Sequence, residues 1–211
     1  MIELLNTDCM EYMSTQPDNA FDLAIVDPPY GIDAVSNINT ITGGTKHKQK
    51  DWDASSPEQE YFDELFRISK NQIIWGANYF MSKIAKDTPC WIFWDKNNGE
   101  STFADGEMAW ASFKTPVRMI KVHWCGSAAK YETGGNKIHP TQKPVKLYDW
   151  LLANYAEKGQ RILDTHLGSG SSAIAAHYYG VDFVGCELDE DYYKAAKERF
   201  NEATRQQTMF A

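Results

Sequence analysis

The chain has 211 residues, 43% of them hydrophobic, and a formal net charge of −8. That length and apolar share describe a single globular domain with a sizeable core, and the acidic balance argues against a generic nucleic-acid binder. No apolar run approaches the roughly 18–20 residues that span a bilayer. The opening Met1-Ile2-Glu3-Leu4-Leu5 lacks a basic region and a cleavable signal pattern, which predicts a cytoplasmic protein with no membrane contact.

In chain order, apolar runs predict strands at Ile2–Leu5, Asp22–Val26, Gln72–Trp75, Cys90–Trp94, Val117–His123, Arg161–Asp164 and Asp182–Glu187. Helical periodicity predicts helices at Glu58–Ile68, Asn78–Ala85, Ser101–Phe113, Val145–Ala156, Ser169–Tyr179 and Asp189–Phe200. In the first of these, Tyr61, Phe62, Leu65, Phe66 and Ile68 form one stripe. Asn201 to Ala211 reads as frayed. Alternating strands and helices imply a doubly wound, mainly parallel seven-stranded sheet. Cys9, Cys90, Cys125 and Cys186 contain no Cys-x-x-Cys pair, which favours reduced thiols over disulfides or zinc ligands.

Charge is unevenly spread. Met108 to Tyr148 carries seven Lys or Arg residues against one acid, Glu132, and Ala34 to Lys50 is acid-free with Lys46, Lys48 and Lys50. A basic face on an acidic body suits phosphate contacts, although a solvated surface without a partner has the same composition. The connection Gly31 to Ser56 is long and polar. Such loops are usually lids or binding segments, and residues 31–56 are read as a mobile substrate or DNA loop. Residues 123–138, including Lys130, form a second candidate insertion for target recognition.

Three segments carry the chemistry. Asp27-Pro28-Pro29-Tyr30 follows the run Leu23-Ala24-Ile25-Val26. Two prolines end the strand because neither has a backbone N–H and each fixes φ near −65°. A carboxylate and an aromatic ring are thereby held at the carboxyl end of a strand, where open α/β sheets bind ligands. The second segment, Ile162-Leu163-Asp164-Thr165-His166-Leu167-Gly168-Ser169-Gly170-Ser171-Ser172, is a strand, a glycine turn and a helix start. Its backbone N–H groups favour a carboxylate, though Gly-Ser-Gly alone also serves tight packing. Glu187 ends the next strand 17 residues beyond Gly170, close to the spacing of a ribose-binding acid. The third segment, His139-Pro140-Thr141-Gln142-Lys143-Pro144, is pinned extended by its prolines.

Together and in this order, these segments resemble the S-adenosylmethionine-dependent amino-methyltransferases of DNA, specifically the permuted β-class of adenine-N6 enzymes. The resemblance runs from about Leu5 to Phe200 and implies a Rossmann-like methyltransferase sheet with inserted DNA-contact loops. It implies that Asp27, Pro28, Pro29 and Tyr30 are catalytic. It also places Asp8, Cys9, Asp27, His139, Thr141, Lys143, Asp164, Gly168, Ser169, Gly170, Ser171, Glu187 and Leu188 around S-adenosylmethionine, with S-adenosylhomocysteine as product. Asp164 would face the methionine amino group, Thr141 and Lys143 its carboxylate, and His139 would orient the loop. Asp8 is equally readable as a helix cap. Asp164-Thr165-His166 departs from the commoner Asp-Pro-Phe before the glycine turn. Lys46, Lys48, Lys50 and Lys130 would contact DNA. No metal is expected, and a homodimer is compatible with the class; Trp91, Trp94, Trp110 and Trp124 could supply an interface but suit a core better.

The implied reaction flips an adenine out of the duplex, stacks it on Tyr30 and holds its N6 amine on Asp27 and the Pro28 carbonyl. Cytosine-N4 methylation shares the chemistry, but that family usually has Ser in place of Asp27. RNA or protein-glutamine methylation favours Asn there. A catalytically silent DNA-binding protein of the same fold is the reading from another class.

Overall fold

The computed structural model describes residues 1–34, 36, 52–99, 104–124 and 137–205. Eight strands form one sheet in the order β1-β8-β7-β2-β3-β5-β4-β6. They are β1 (Ile2–Asn6), β2 (Phe21–Val26), β3 (Ser69–Trp75), β4 (Cys90–Asp95), β5 (Gly106–Ala111), β6 (Arg118–Lys121), β7 (Arg161–Asp164) and β8 (Asp182–Glu187). β5 runs antiparallel to both of its neighbours, and every other adjacent pair is parallel.

The central strands are buried on both faces, which explains their unbroken apolar runs. On β2, Leu23 and Ile25 face one core while Ala24 and Val26 face the other. The first core is closed by α4 (Val145–Tyr155) and α5 (Ser171–Tyr179), through Leu147, Leu151 and Ala175, and by Ala196 of α6 (Glu190–Arg205). The second is closed by Met13 of α1 (Cys9–Ser14), by Tyr61, Phe62, Leu65 and Ile68 of α2 (Gln59–Ile68), and by Ile84 of α3 (Met81–Ile84). Trp94, Trp110 and Trp124 are buried, and Trp91 packs half-buried against the second core. Among the described residues no helix is long and apolar enough to cross a membrane.

Four expectations change. Within the expected helix Ser101–Phe113, Gly106–Ala111 is instead strand β5, bonded between β3 and β4. Its Glu, Met and Ala residues are good helix formers, but two-sided pairing overrides that preference. It is the eighth strand where seven were expected. Asn78–Ala85 is a 3-10 turn at Ala77–Tyr79 followed by the short α3, which stops where Ala85 enters the left-handed region at φ 45°. Finally, α6 continues through residues 201–205, the described part of the stretch read as frayed, with Tyr178 donating a hydrogen bond to the Ala203 carbonyl.

β2 and β7 lie side by side, with Leu23 opposite Ile162 and Ala24 opposite Leu163. From β7 the chain winds through β8 in one direction, and from β2 through β3 in the other. Such a switch point leaves a crevice at the carboxyl ends of the two strands. Leu163 is fully buried in β7 between β2 and β8. Leu163→Ala is expected to cost about 2–5 kcal/mol, measured as a lower denaturation midpoint in urea at unchanged slope.

Candidate active site

β2 delivers Asp27-Pro28-Pro29-Tyr30 into the crevice, and a buried acid fixes the way out. Asp53 accepts the Gly31 and Ala34 N–H groups on its two oxygens, both at 2.9 Å. The Tyr30 ring lies so close to Gly76 that a Cβ there would come within 2.1 Å of it. Gly76 also has φ 66°, so the position demands glycine twice over. Tyr30 stacks on Tyr79, with ring centroids 5.0 Å apart and planes 16° apart. Its hydroxyl donates to Asp27 Oδ1 at 2.7 Å.

The other Asp27 oxygen receives the Lys143 ammonium, which is buried. The Lys143 backbone carbonyl accepts from Ser171 Oγ at 2.7 Å, tying the proline-flanked segment to α5. Lys143 Nζ also reaches Glu107 Oε2 at 3.0 Å, and Glu107 Oε1 meets Lys96 Nζ at 2.6 Å. Asp27, Lys143, Glu107 and Lys96 thus form a chain of alternating charge, assembled from the ends of β2, β4 and β5 and the segment before α4.

At the ends of β7 and β8, the Gly168 N–H donates to Glu187 Oε2 at 2.9 Å and the Asp189 N–H donates to Oε1 at 3.0 Å. Asp189 in turn accepts the Asp191 and Tyr192 N–H groups at the start of α6. Asp8 caps α1, accepting from the Met10 N–H at 2.7 Å. The His139 ring lies between Trp52 and Tyr192, with Nδ1 against Thr141 Oγ1 at 3.1 Å.

Two cavities result. The larger, about 960 Å³, is lined by Asp8, Cys9, His139, Gly168, Ser169, Glu187 and Leu188. The smaller, about 630 Å³, is lined by Pro28, Tyr30, Tyr79, Phe93, Glu107 and Met108. Asp27, Pro29, Trp52, Thr141 and Lys143 line both, so the Asp27 carboxylate stands at their junction. Asp164, Gly170 and Ser171, expected around the cofactor, line neither cavity. Asp164 accepts from the His166 N–H at 3.0 Å and Ser172 Oγ at 2.6 Å, Gly170 begins α5, and Arg199 donates to Ser171 Oγ at 2.8 Å. Lys46, Lys48, Lys50 and Lys130 lie outside the described residues, as does most of the 31–56 loop and of the 123–138 insertion.

Sequence reasoning missed Glu107, Lys96, Trp52, Tyr79 and Asp53. The misread helix hid Glu107, whose signal was an acid at the head of the apolar run Met108-Ala109-Trp110-Ala111. Trp52 carried a signal too, as a tryptophan in an otherwise polar loop.

The DNA methylase family model, which covers N6 and N4 enzymes, matches residues 91–198, half of the chain. The chain belongs to this N6/N4 family of DNA methylases. It is an S-adenosylmethionine-dependent DNA methyltransferase. The Escherichia coli K12 protein YubD is 25% identical over 215 residues, spanning 94% of this chain and 90% of YubD. Among solved structures, the M1.HpyAVI complex with S-adenosylmethionine superposes with a TM-score of 0.64 at 22% identity, covering 95% of this chain and 100% of that one. The cytosine-N4-specific PvuII methyltransferase has the same fold, with a TM-score of 0.61 at 13% identity over 97% of this chain and 90% of that one.

The larger cavity of the methylase suits this cofactor chemically. Asp8 and Glu187 offer acceptors to amine and hydroxyl groups, and His139 and Tyr192 offer flat rings. Trp52 Nε1–H, buried without a partner among the described residues, is a donor awaiting an acceptor.

Burial lifts the Asp164 carboxyl to about 7, against the bonds from Ser172 and the His166 N–H. Burial also drops the His166 imidazole to about 4. The two oppose each other in stability. Folded Asp164 holds a proton that the unfolded chain releases above about 4, so its contribution is full at low pH and is lost as pH rises through about 7. His166 is neutral when folded but takes a proton near 6.5 when unfolded, so its contribution is lost as pH falls from about 6.5 to 4. Asp164→Asn removes only the first effect. It is expected to stabilise the methylase by roughly 1–3 kcal/mol at pH 8, with the gain shrinking towards pH 5, as read from melting temperatures across that range.

Proposed function

We propose that this methylase transfers the methyl group to the exocyclic N6 amine of adenine in DNA, with the base turned out of the duplex into the smaller cavity. The observation that carries this reading is the position of Asp27, a carboxylate at the junction of a cofactor-sized cavity and an aromatic-walled one. We assign Asp8, Cys9, His139, Thr141, Gly168, Ser169, Glu187 and Leu188 to cofactor binding, with Asp164, Gly170 and Ser171 shaping the turn. Lys46, Lys48, Lys50 and Lys130 are assigned to DNA phosphates, through the 31–56 loop and the 123–138 insertion.

Extruding a base costs a few kcal/mol. Tyr30 is held rigidly by Gly76 and Phe80, and stacking on it returns roughly 1–3 kcal/mol per base. When bound, S-adenosylmethionine supplies a methyl group on a cationic sulfur. The amine of adenine is a poor nucleophile because its lone pair is delocalised into the ring. Asp27, aided by the Pro28 carbonyl, accepts its N–H and favours the pyramidal nitrogen whose lone pair points at the methyl group. A carboxylate is far too weak a base to deprotonate the amine first. Asp27 instead stabilises the positive charge that grows on nitrogen during transfer, and the now acidic nitrogen then gives its proton to the Asp27 carboxylate, which returns it to solvent. Alignment of the two reactants supplies much of the rate.

Cytosine-N4 methylation is the second reading, supported by the breadth of the family and by the fold shared with the PvuII enzyme. Aspartate rather than serine at position 27 favours adenine. Labelled methyl transfer to DNA followed by digestion to nucleosides decides between them. Label is expected in N6-methyl-2′-deoxyadenosine, and recovery in N4-methyl-2′-deoxycytidine would transfer the assignment to the second reading. Asp27→Ala is expected to lower the rate at least about a thousandfold while S-adenosylmethionine affinity, measured by calorimetry, changes by less than about fivefold.

A further inference from the structure

Both oxygens of Asp27 are engaged in the structure, Oδ1 by the Tyr30 hydroxyl and Oδ2 by the Lys143 ammonium. A target amine needs one of them. It cannot share Oδ2 comfortably with Lys143, because the nitrogen gains positive charge during transfer and a neighbouring cation opposes that charge. Oδ1 stays with the Tyr30 hydroxyl, whose ring is fixed against Gly76 and Phe80, so the amine takes Oδ2 and Lys143 leaves it. A buried ammonium abandoned without a partner would be strongly unfavourable, so a second acceptor has to be within reach.

Glu107 is that acceptor. Its Oε2 already lies 3.0 Å from Lys143 Nζ, while Lys96 holds its other oxygen at 2.6 Å and keeps the carboxylate in place. We propose that Glu107 is a positioning residue that receives Lys143 when the target amine takes its place on Asp27. This rests on the reading that Asp27 holds the amine, and it applies to adenine and cytosine alike. In this role Glu107 acts through Lys143, from the wall of the smaller cavity.

The groups facing Lys143 are Asp27 and Tyr30 from the end of β2, Glu107 from β5 and, behind Glu107, Lys96 from the end of β4. The Trp75 ring flanks the ammonium at 5.7 Å, and Tyr148 of α4 lines the same cavity. Burial alone would lower Lys143, but Asp27 and Glu107 together raise it above the usual lysine value. Burial would raise Glu107, yet Lys143 and Lys96 draw it down to about 2. With both carboxylates present, Lys143 stays charged across the working pH range. With Glu107 neutralised, only Asp27 holds the proton on Lys143, and rising pH removes it and loosens the grip on Asp27.

The test compares single-turnover methyl transfer by the full chain and by Glu107→Gln from pH 6.5 to 9.5, with S-adenosylmethionine affinity measured by calorimetry. Wild type is expected to show a flat profile. Glu107→Gln should lose roughly ten- to a hundredfold in rate at pH 7, keep its cofactor affinity within about threefold, and recover as pH rises. Glu107→Asp should restore part of the rate at pH 7. A full rate in Glu107→Gln, or the same loss at every pH, would overturn the proposal. If Glu107→Gln lacks a cooperative melt, Glu107→Asp is read alone: a partial loss at pH 7 that recovers as pH rises supports the proposal, and a full rate or a pH-independent loss overturns it. A wild-type chain that methylates no DNA would defeat the proposed function itself, whereas an active wild type with flat variant profiles would defeat only the role of Glu107.

Discussion

Two residue pairs join β2 to β7, Leu23 with Ile162 and Ala24 with Leu163. Segments far apart in sequence thereby end at one edge, and the whole site depends on that adjacency. The double-proline stop places Asp27 just beyond β2, and the glycine turn beyond β7 places the Gly168 N–H on Glu187. Neither half forms a site alone. Side by side, they bring two cavities to a common boundary with a carboxylate in it. Because both faces of these strands are buried, a slip of one residue would turn Leu23 and Ala24 to the wrong cores, so the hydrophobic pattern that makes the sheet also aims the chemistry.

The boundary itself is electrostatic. Four charges alternate from Asp27 through Lys143 and Glu107 to Lys96, in surroundings where removing one partner of a pair typically costs about 3–5 kcal/mol. Such a chain contributes little net stability, because desolvation offsets much of the attraction. What it supplies is a fixed arrangement in which the Lys143 ammonium and the Tyr30 hydroxyl each reach both acids, with Lys143 the member proposed to move. The rigid groups around it, Asp53 on the chain exit and Gly76 beneath Tyr30, keep the remaining geometry constant.

Much of this is legible in the sequence alone. The prolines marked the end of β2, the glycines marked the turn after β7, and the helical stripe of α2 was read correctly at Tyr61, Phe62, Leu65 and Ile68. These signals are local, and each depends on the conformational limits of a few neighbouring residues. What was illegible is non-local. β5 has helix-forming residues and becomes a strand only because β3 and β4 offer it two free edges. Glu107 was lost with it, and so was the partnership of Lys143, for which the family resemblance implied the cofactor carboxylate and whose neighbours in space are Asp27 and Glu107. Asp164 shows the same limit: its position after a strand is visible in the sequence, but its enclosure by Ser172 and the His166 N–H is not.

The central claim is that Asp27 is where cofactor and target base meet. The most direct measurement is a crystal structure of the methylase with S-adenosylhomocysteine and a DNA duplex carrying its target site. The account predicts the cofactor product against Glu187 and Gly168, an extruded base on Tyr30, and its exocyclic amine within hydrogen-bonding distance of Asp27. An extruded base whose amine lies away from Asp27, or a cofactor product bound outside the cavity beyond β7 and β8, would contradict it.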